Sequence, residues 1–145
     1  MKTVTVNASK AHDIKIGPGL LSTLGAEAAK LGKAKKVAII SETNVYPLYG
    51  SQAENSLKEA GFAVASFVFP AGEESKTFNT VMDIISAFSK ADLTRIDFAV
   101  ALGGGVCGDL VGFAAAIYLR GIDYIGIPTS LLSQIDSSVG GKTAC

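Results

Sequence analysis

The chain has no tryptophan, a single histidine and only two cysteines in 145 residues. His12 stands alone, and Cys107 and Cys145 lie far apart in no ligand spacing, which argues against a metal centre built wholly from this chain. Two cysteines so separated do not make a disulfide framework either. Net charge is missing as well, since thirteen basic residues balance thirteen acidic ones. No field therefore draws the chain to nucleic acid or to an anionic membrane surface. The one basic cluster, Lys30, Lys33, Lys35 and Lys36, reads as a solvated helix end and loop. No apolar run reaches membrane-spanning length and no charged-then-apolar leader opens the chain, so a reducing, cytoplasmic setting is expected.

What is plentiful is apolar. Hydrophobic residues make up 48% and charged residues 18%, which points to a sheet covered by helices on both faces, or to a surface meant for another domain. The length suits one domain with its own core.

The pattern alternates along the chain. Val4, Val6, Ile14 and Ile16 have the period of two of a short antiparallel strand pair, broken at Gly17-Pro18-Gly19. Leu20, Leu21, Leu24, Ala28 and Leu31 share one helical face, which ends near Gly32. The all-apolar run Val37–Ile40 suits a parallel strand covered on both sides. A helix from Tyr46, with Pro47 in its first turn, ends at Gly61. Phe62–Phe69 is the next strand, and Val81, Ile84, Ile85 and Phe88 mark the next helix. Phe98–Leu102 is a buried strand, followed by a glycine run, a helix to about Leu119 and a strand Tyr124–Ile127. Such alternation predicts a doubly wound, mostly parallel α/β sheet flanked by helices. The sequence stops at Gly140-Gly141-Lys142-Thr143-Ala144-Cys145 without a polar tail, which reads as an interrupted chain.

Gly103-Gly104-Gly105-Val106-Cys107-Gly108 matches G-x-G-x-x-G, with a strand before it and a helix after it. Glycines let a backbone approach a pyrophosphate, and the amides of the new helix face its charge. The plainer reading is a tight strand–helix turn in which Gly108 and Gly112 permit close packing. After the next strand, where the usual fingerprint has a ribose-binding acid, Pro128-Thr129-Ser130 offers only hydroxyls. Glu42 and Glu73 are the candidate acids, though either serves equally as a surface carboxylate. The helix after the glycines is apolar almost all round and so is expected to be buried. Asp109, placed in its first turn, is read as a helix cap or as a polar ligand contact. Gly140-Gly141-Lys142-Thr143 is not a phosphate-binding P-loop, because Asp136 stands where that motif needs glycine.

The string Ala101–Asp109, with Gly112-Phe113-Ala114-Ala115, Tyr118-Leu119-Arg120-Gly121, Ile127–Thr143 and, upstream, Pro70–Lys76, resembles the 3-dehydroquinate synthase family. The resemblance implies a Rossmann-like NAD-binding domain. It implies adenosine-side contacts from Gly72, Glu73 and Lys76 and a ribose-binding acid at Glu42. Gly104, Gly105, Val106, Gly108 and Asp109 would meet the pyrophosphate and the nicotinamide ribose. Thr129 and Ser130 would contribute the hydroxyl pair that follows the strand, serine replacing a second threonine. Asp136 and Lys142 would touch the substrate, a phosphorylated keto-sugar acid, Lys142 standing among the cofactor-binding residues as well, and Arg120 would reach the substrate phosphate of the neighbouring subunit in a homodimer. The resemblance further implies a divalent metal, zinc or cobalt, with ligands in a helical C-terminal domain that this sequence does not include. A chain of this extent is expected to bind NAD weakly and to lack synthase activity. Other sugar-phosphate cyclases, and a stand-alone nucleotide-binding module, are the alternatives. Iron-dependent alcohol and glycerol dehydrogenases share the architecture but lack the segment Asp136–Thr143.

Overall fold

A computed structural model of the protein describes residues 2–6, 12–16, 20–30 and 32–129. Its centre is a four-stranded parallel sheet of β3 (Lys36–Glu42), β4 (Ala63–Phe69), β5 (Phe98–Gly103) and β6 (Asp123–Pro128), in the order β4-β3-β5-β6. A separate two-stranded antiparallel ribbon pairs β1 (Lys2–Val6) with β2 (His12–Ile16). The inner strands are those with unbroken apolar runs. Every residue of β5 is buried, as are Val37–Ser41 of β3. The edge strands β4 and β6 mix exposed and covered positions.

The pleat divides the core in two. Ala38, Ile40, Ala99 and Ala101 face one layer, formed by α3 (Phe78–Lys90) and α4 (Gly105–Ile117). Val37, Ile39, Phe98, Val100 and Leu102 face the other layer, formed by α1 (Leu24–Ala29) and α2 (Tyr46–Glu59). The small residues at Ala99, Ala101 and Ala38 let the largely apolar α4 lie close to the sheet. Each fully buried Ile, Leu or Phe contributes about 1.5–3 kcal/mol, so the paired layers rest on residues such as Ile39, Ile84, Leu57 and Phe88.

Local signals act as read from the sequence. Pro47 sits in the first turn of α2, and Gly61 takes φ +99° just after that helix ends. Thr77 caps α3, its hydroxyl oxygen accepting from the amide of Thr80 at 3.2 Å. Buried Asp97 ties the entrance of β3 to the turn before β5. Its carboxylate accepts from the amides of Lys35 and Lys36 at 3.0 Å and from the amide and hydroxyl of Thr94 at 2.8 and 2.9 Å.

Two expectations need correction. The face from Leu20 to Ala28 begins as a 3₁₀ turn, Leu20–Thr23, before α1 starts. The helix α4 is not buried all round: Phe113 is half-buried, and Ala116 and Ile117 are exposed. Its outer side is apolar because it forms part of a surface stripe with α3, not because the sheet covers it.

Candidate nucleotide-binding site

The connections leave β3 and β5 in opposite directions, β3 through α2 to β4 and β5 through α4 to β6. Right-handed crossovers running opposite ways place α2 and α4 on opposite faces, and the carboxyl ends of β3 and β5 part between them. In open α/β sheets that parting is where ligands bind. Here it holds Ser41 and Glu42 from β3 and the glycine turn from β5.

The turn is tight for a stated reason. A Cβ on Gly103 would lie 2.9 Å from the Cβ of Cys107, so only glycine fits. Gly104 is the extended N-cap of α4, and the helix amides begin at Gly105. Gly108 differs: among the described residues, a Cβ there would meet nothing within 4 Å. The close-packing reading of Gly108 is thereby corrected, and this glycine leaves space open beside the first turn. The surrounding loops are stitched to the turn. The Ser41 hydroxyl donates to the Leu102 carbonyl at 2.7 Å, and the Thr129 amide donates to the Gly103 carbonyl at 3.2 Å. The Cys107 thiol donates to the Ile40 carbonyl at 3.4 Å. Burial, and then the charge of Glu42, push that thiol up to about 12. It is a packing group, not a nucleophile.

Glu42 is the last residue of β3 and half-buried, and its carboxylate accepts from the Val45 amide, turning the chain into α2. The Thr43 hydroxyl accepts from the Ala71 amide at 3.0 Å, which draws the loop after β4 toward the same crevice. In that loop Gly72 has φ +114°, a conformation open to glycine, and Glu73 is exposed. Ser75 is buried and donates to the Pro70 carbonyl, which fixes the loop and carries Lys76 inward.

Lys76 and Asp109 meet. The lysine Nζ lies 3.0 Å from Asp109 Oδ2, and the aspartate side chain is 7% exposed. Asp109 Oδ1 is buried and has no hydrogen-bond partner among the described residues. The first-turn placement of Asp109 is corrected: α4 starts at Gly105, so Asp109 is its fifth residue and caps nothing. A buried carboxylate oxygen left unmet is costly unless a ligand supplies its donor.

The sequence reading passed over two residues. Thr43 forms the loop-to-loop link above, and nothing in a lone threonine after a strand signals that. Half-buried Tyr124, on β6, has its phenol pushed up by burial and then by the charge of Asp109, so it stays a neutral donor beside that carboxylate. Its place on the α4 side of the sheet follows from pairing with Ala99.

Arg120 is not brought to the crevice. It lies past the far end of α4, and at about 1.5 Å per residue the helix's 13 residues put roughly 20 Å between the two. Leu119 and Arg120 are both exposed and both left-handed, with φ +49° and +67°, before Gly121 at +115°. Ser130, Asp136 and Lys142 lie outside the described residues. Among the described residues no group of three His, Cys, Asp or Glu side chains could hold a metal, and no helix is long and apolar enough to cross a membrane.

Fold and crevice together define a doubly wound, Rossmann-like domain of the nucleotide-binding type. Residues 66–145 match the family model described as 3-dehydroquinate synthase N-terminal, and the chain belongs to that family. The 3-dehydroquinate synthase of Rhizobium rhizogenes is 52% identical over 92% of this chain, but over only 36% of its own length. Among solved structures, 2-deoxy-scyllo-inosose synthase complexed with carbaglucose-6-phosphate, NAD+ and Co2+ superposes with a TM-score of 0.85 at 26% identity, covering 94% of this chain and 37% of that one. The 2-epi-5-epi-valiolone synthase ValA of Streptomyces hygroscopicus, with NAD+ and Zn2+ bound, gives 0.81 at 30% identity, covering 97% and 38%. The chain thus spans well under half the length of the relatives it matches.

Proposed function

We propose that this chain is the NAD-binding part of a 3-dehydroquinate synthase, which converts 3-deoxy-D-arabino-heptulosonate 7-phosphate to 3-dehydroquinate and phosphate in the shikimate pathway of aromatic amino acid biosynthesis. The observation that carries the reading is the glycine turn at the sheet's switch point, beside a buried aspartate with one oxygen unmet among the described residues. The amides from Gly105 onward receive the pyrophosphate, and Gly104 and Gly108 leave it room. Glu42 and Glu73 hold the ribose hydroxyls, with Gly72 shaping the second acid's loop. Thr129 and Ser130 contribute hydroxyls from the β6 side. Bound NAD supplies a transient oxidation of one substrate hydroxyl that is reversed before product leaves.

Asp136 and Lys142 hold the phosphorylated substrate, and Arg120 serves the neighbouring copy in a homodimer. The divalent metal would take its ligands from a C-terminal domain. Of the cyclase readings, dehydroquinate formation is favoured by 52% identity to a synthase of that name, against 26% and 30% to the other two cyclases.

The test is a calorimetric titration of the 145-residue chain with NAD, using Gly105→Asp as comparison. Binding to the parent chain and none to the variant is expected, since the new carboxylate fills the seat of the diphosphate. Equal heats from both would overturn the site. A coupled assay should find no dehydroquinate made by this chain alone.

A further inference from the structure

We propose that Tyr118 is a positioning residue for Arg120: its phenol fastens the corner after α4 to the loop before β5, and so fixes where the guanidinium meets a phosphate held by a second copy. This rests on the role proposed for Arg120 and goes beyond it by assigning what holds that arginine in place.

The corner is costly by itself. Leu119, Arg120 and Gly121 follow one another at φ +49°, +67° and +115°, and the left-handed region crowds the Cβ of the first two against the backbone. Such a run persists only where its surroundings hold it. The chain's own amides close the turn, Gly121 donating to the Tyr118 carbonyl and Ile122 to the Ala115 carbonyl, both at 2.8 Å. Tyr118 supplies a tie to a different element. Its hydroxyl donates to the carbonyl of buried Leu93 at 2.8 Å, and its ring stands edge-to-face on Phe88 of α3 at 5.4 Å.

The far end of that tie is firm. The Leu93 amide donates to the Phe88 carbonyl at 3.1 Å, and the adjacent Thr94 is bound through amide and hydroxyl to Asp97. Burial, and then the charges of Asp92 and Asp97, push the Tyr118 phenol up, so it stays a neutral donor. The corner also leaves apolar surface open, with Ile117 and Leu119 exposed at 50% and 45% beside exposed Arg120. A second copy seated there would bury both and receive the arginine.

The experiment measures, by calorimetry, the binding of inorganic phosphate, a product of the proposed reaction, to the intact synthase saturated with NAD. Saturating NAD keeps the anion out of the diphosphate seat. The proteins are the parent, Tyr118→Phe, Arg120→Ala and the double variant. Phenylalanine keeps the ring on Phe88 and removes only the hydroxyl, so phosphate affinity should fall about threefold to tenfold. Arg120→Ala should lose at least about tenfold. Adding Tyr118→Phe to it should change affinity by no more than about twofold, because the hydroxyl acts only through the arginine. A merely structural tyrosine would give the same loss in both backgrounds, and that additive result would overturn the proposal. A Tyr118→Phe protein with parent affinity would overturn it too. Should Tyr118→Phe fail to fold, Tyr118→Met removes the same hydroxyl and is read by the same criteria. An Arg120→Ala protein that binds phosphate as the parent does would remove the Arg120 reading along with this one, whereas failure confined to Tyr118→Phe removes this one only.

Discussion

Replacing Gly108 with alanine should stabilise the fold and weaken nucleotide binding at once. Gly108 lies inside α4, where glycine costs about 0.8–1.0 kcal/mol relative to alanine, and a Cβ there would touch none of the described residues within 4 Å. With no clash to offset the gain, thermal unfolding should move up by about 2–6 °C for a chain of this size. The same methyl projects into the space beside the turn that we assign to the diphosphate. Crowding of that kind typically costs about 1–3 kcal/mol, which is roughly a five- to hundredfold rise in Kd for NAD. Gly103→Ala is the control of opposite sign, because its methyl would lie 2.9 Å from the Cβ of Cys107 and must destabilise the fold. Scanning calorimetry and NAD titration on both variants decide the matter. A stabilised Gly108→Ala chain with unchanged NAD affinity would refute the claim that ligand approaches this turn. A destabilised one would refute the claim that the space is open.

Three further outcomes are expected. Asp97 is held below the usual carboxylate range, because hydrogen bonds from Thr94, Lys35 and Lys36 outweigh the burial that pushes it up. Its contribution is therefore present at neutral pH and lost as pH falls through its lowered folded-state value, so Asp97→Asn should flatten the acid side of a stability–pH curve; Asp97→Ala should cost about 2–4 kcal/mol at pH 7. Phe78, Met82 and Ile117 are exposed at 66%, 58% and 50% on the outer sides of α3 and α4. The chain should self-associate through them, and light scattering should show Met82→Glu/Ile117→Glu shifted toward monomer. Lys142→Ala should leave NAD affinity intact and weaken the phosphorylated substrate in the intact synthase; equal losses would assign Lys142 to the cofactor.

The fold was legible where local and global preferences agree. Val37–Ile40 and Phe98–Leu102 are apolar on every residue, and only inner parallel strands satisfy that pattern. Pro47 and Gly61 mark α2, and the three-and-four spacing of Val81, Ile84 and Phe88 marks α3. The glycine turn could be read because the chemistry lies in the backbone itself. What could not be read was pairing across the chain. Lys76 and Asp109 are 33 residues apart, and no spacing rule joins them. Strand order was equally hidden, since local pattern is the same whichever way a crossover runs. The all-round apolar α4 misled for a related reason: composition reports that a face avoids water, not which neighbour covers it.

The distance between Arg120 and the glycine turn bears on assembly. Residues at opposite ends of α4 lie far apart for one small site, which supports the proposal that Arg120 serves a second copy. The corner that presents it is strained at two successive non-glycine residues, Leu119 and Arg120, a cost that persists where the surrounding structure over-determines it. Intact synthase variants carrying Arg120→Ala or Lys142→Ala should each be inactive as homodimers. Mixed and allowed to exchange subunits, they form a heterodimer in which one site has its own Lys142 and its neighbour's Arg120. With random exchange, half the dimers are mixed and one of their two sites is whole, so about a quarter of parent activity should return. If Arg120 served its own chain, every site in the mixture would lack one residue or the other, and no activity would return.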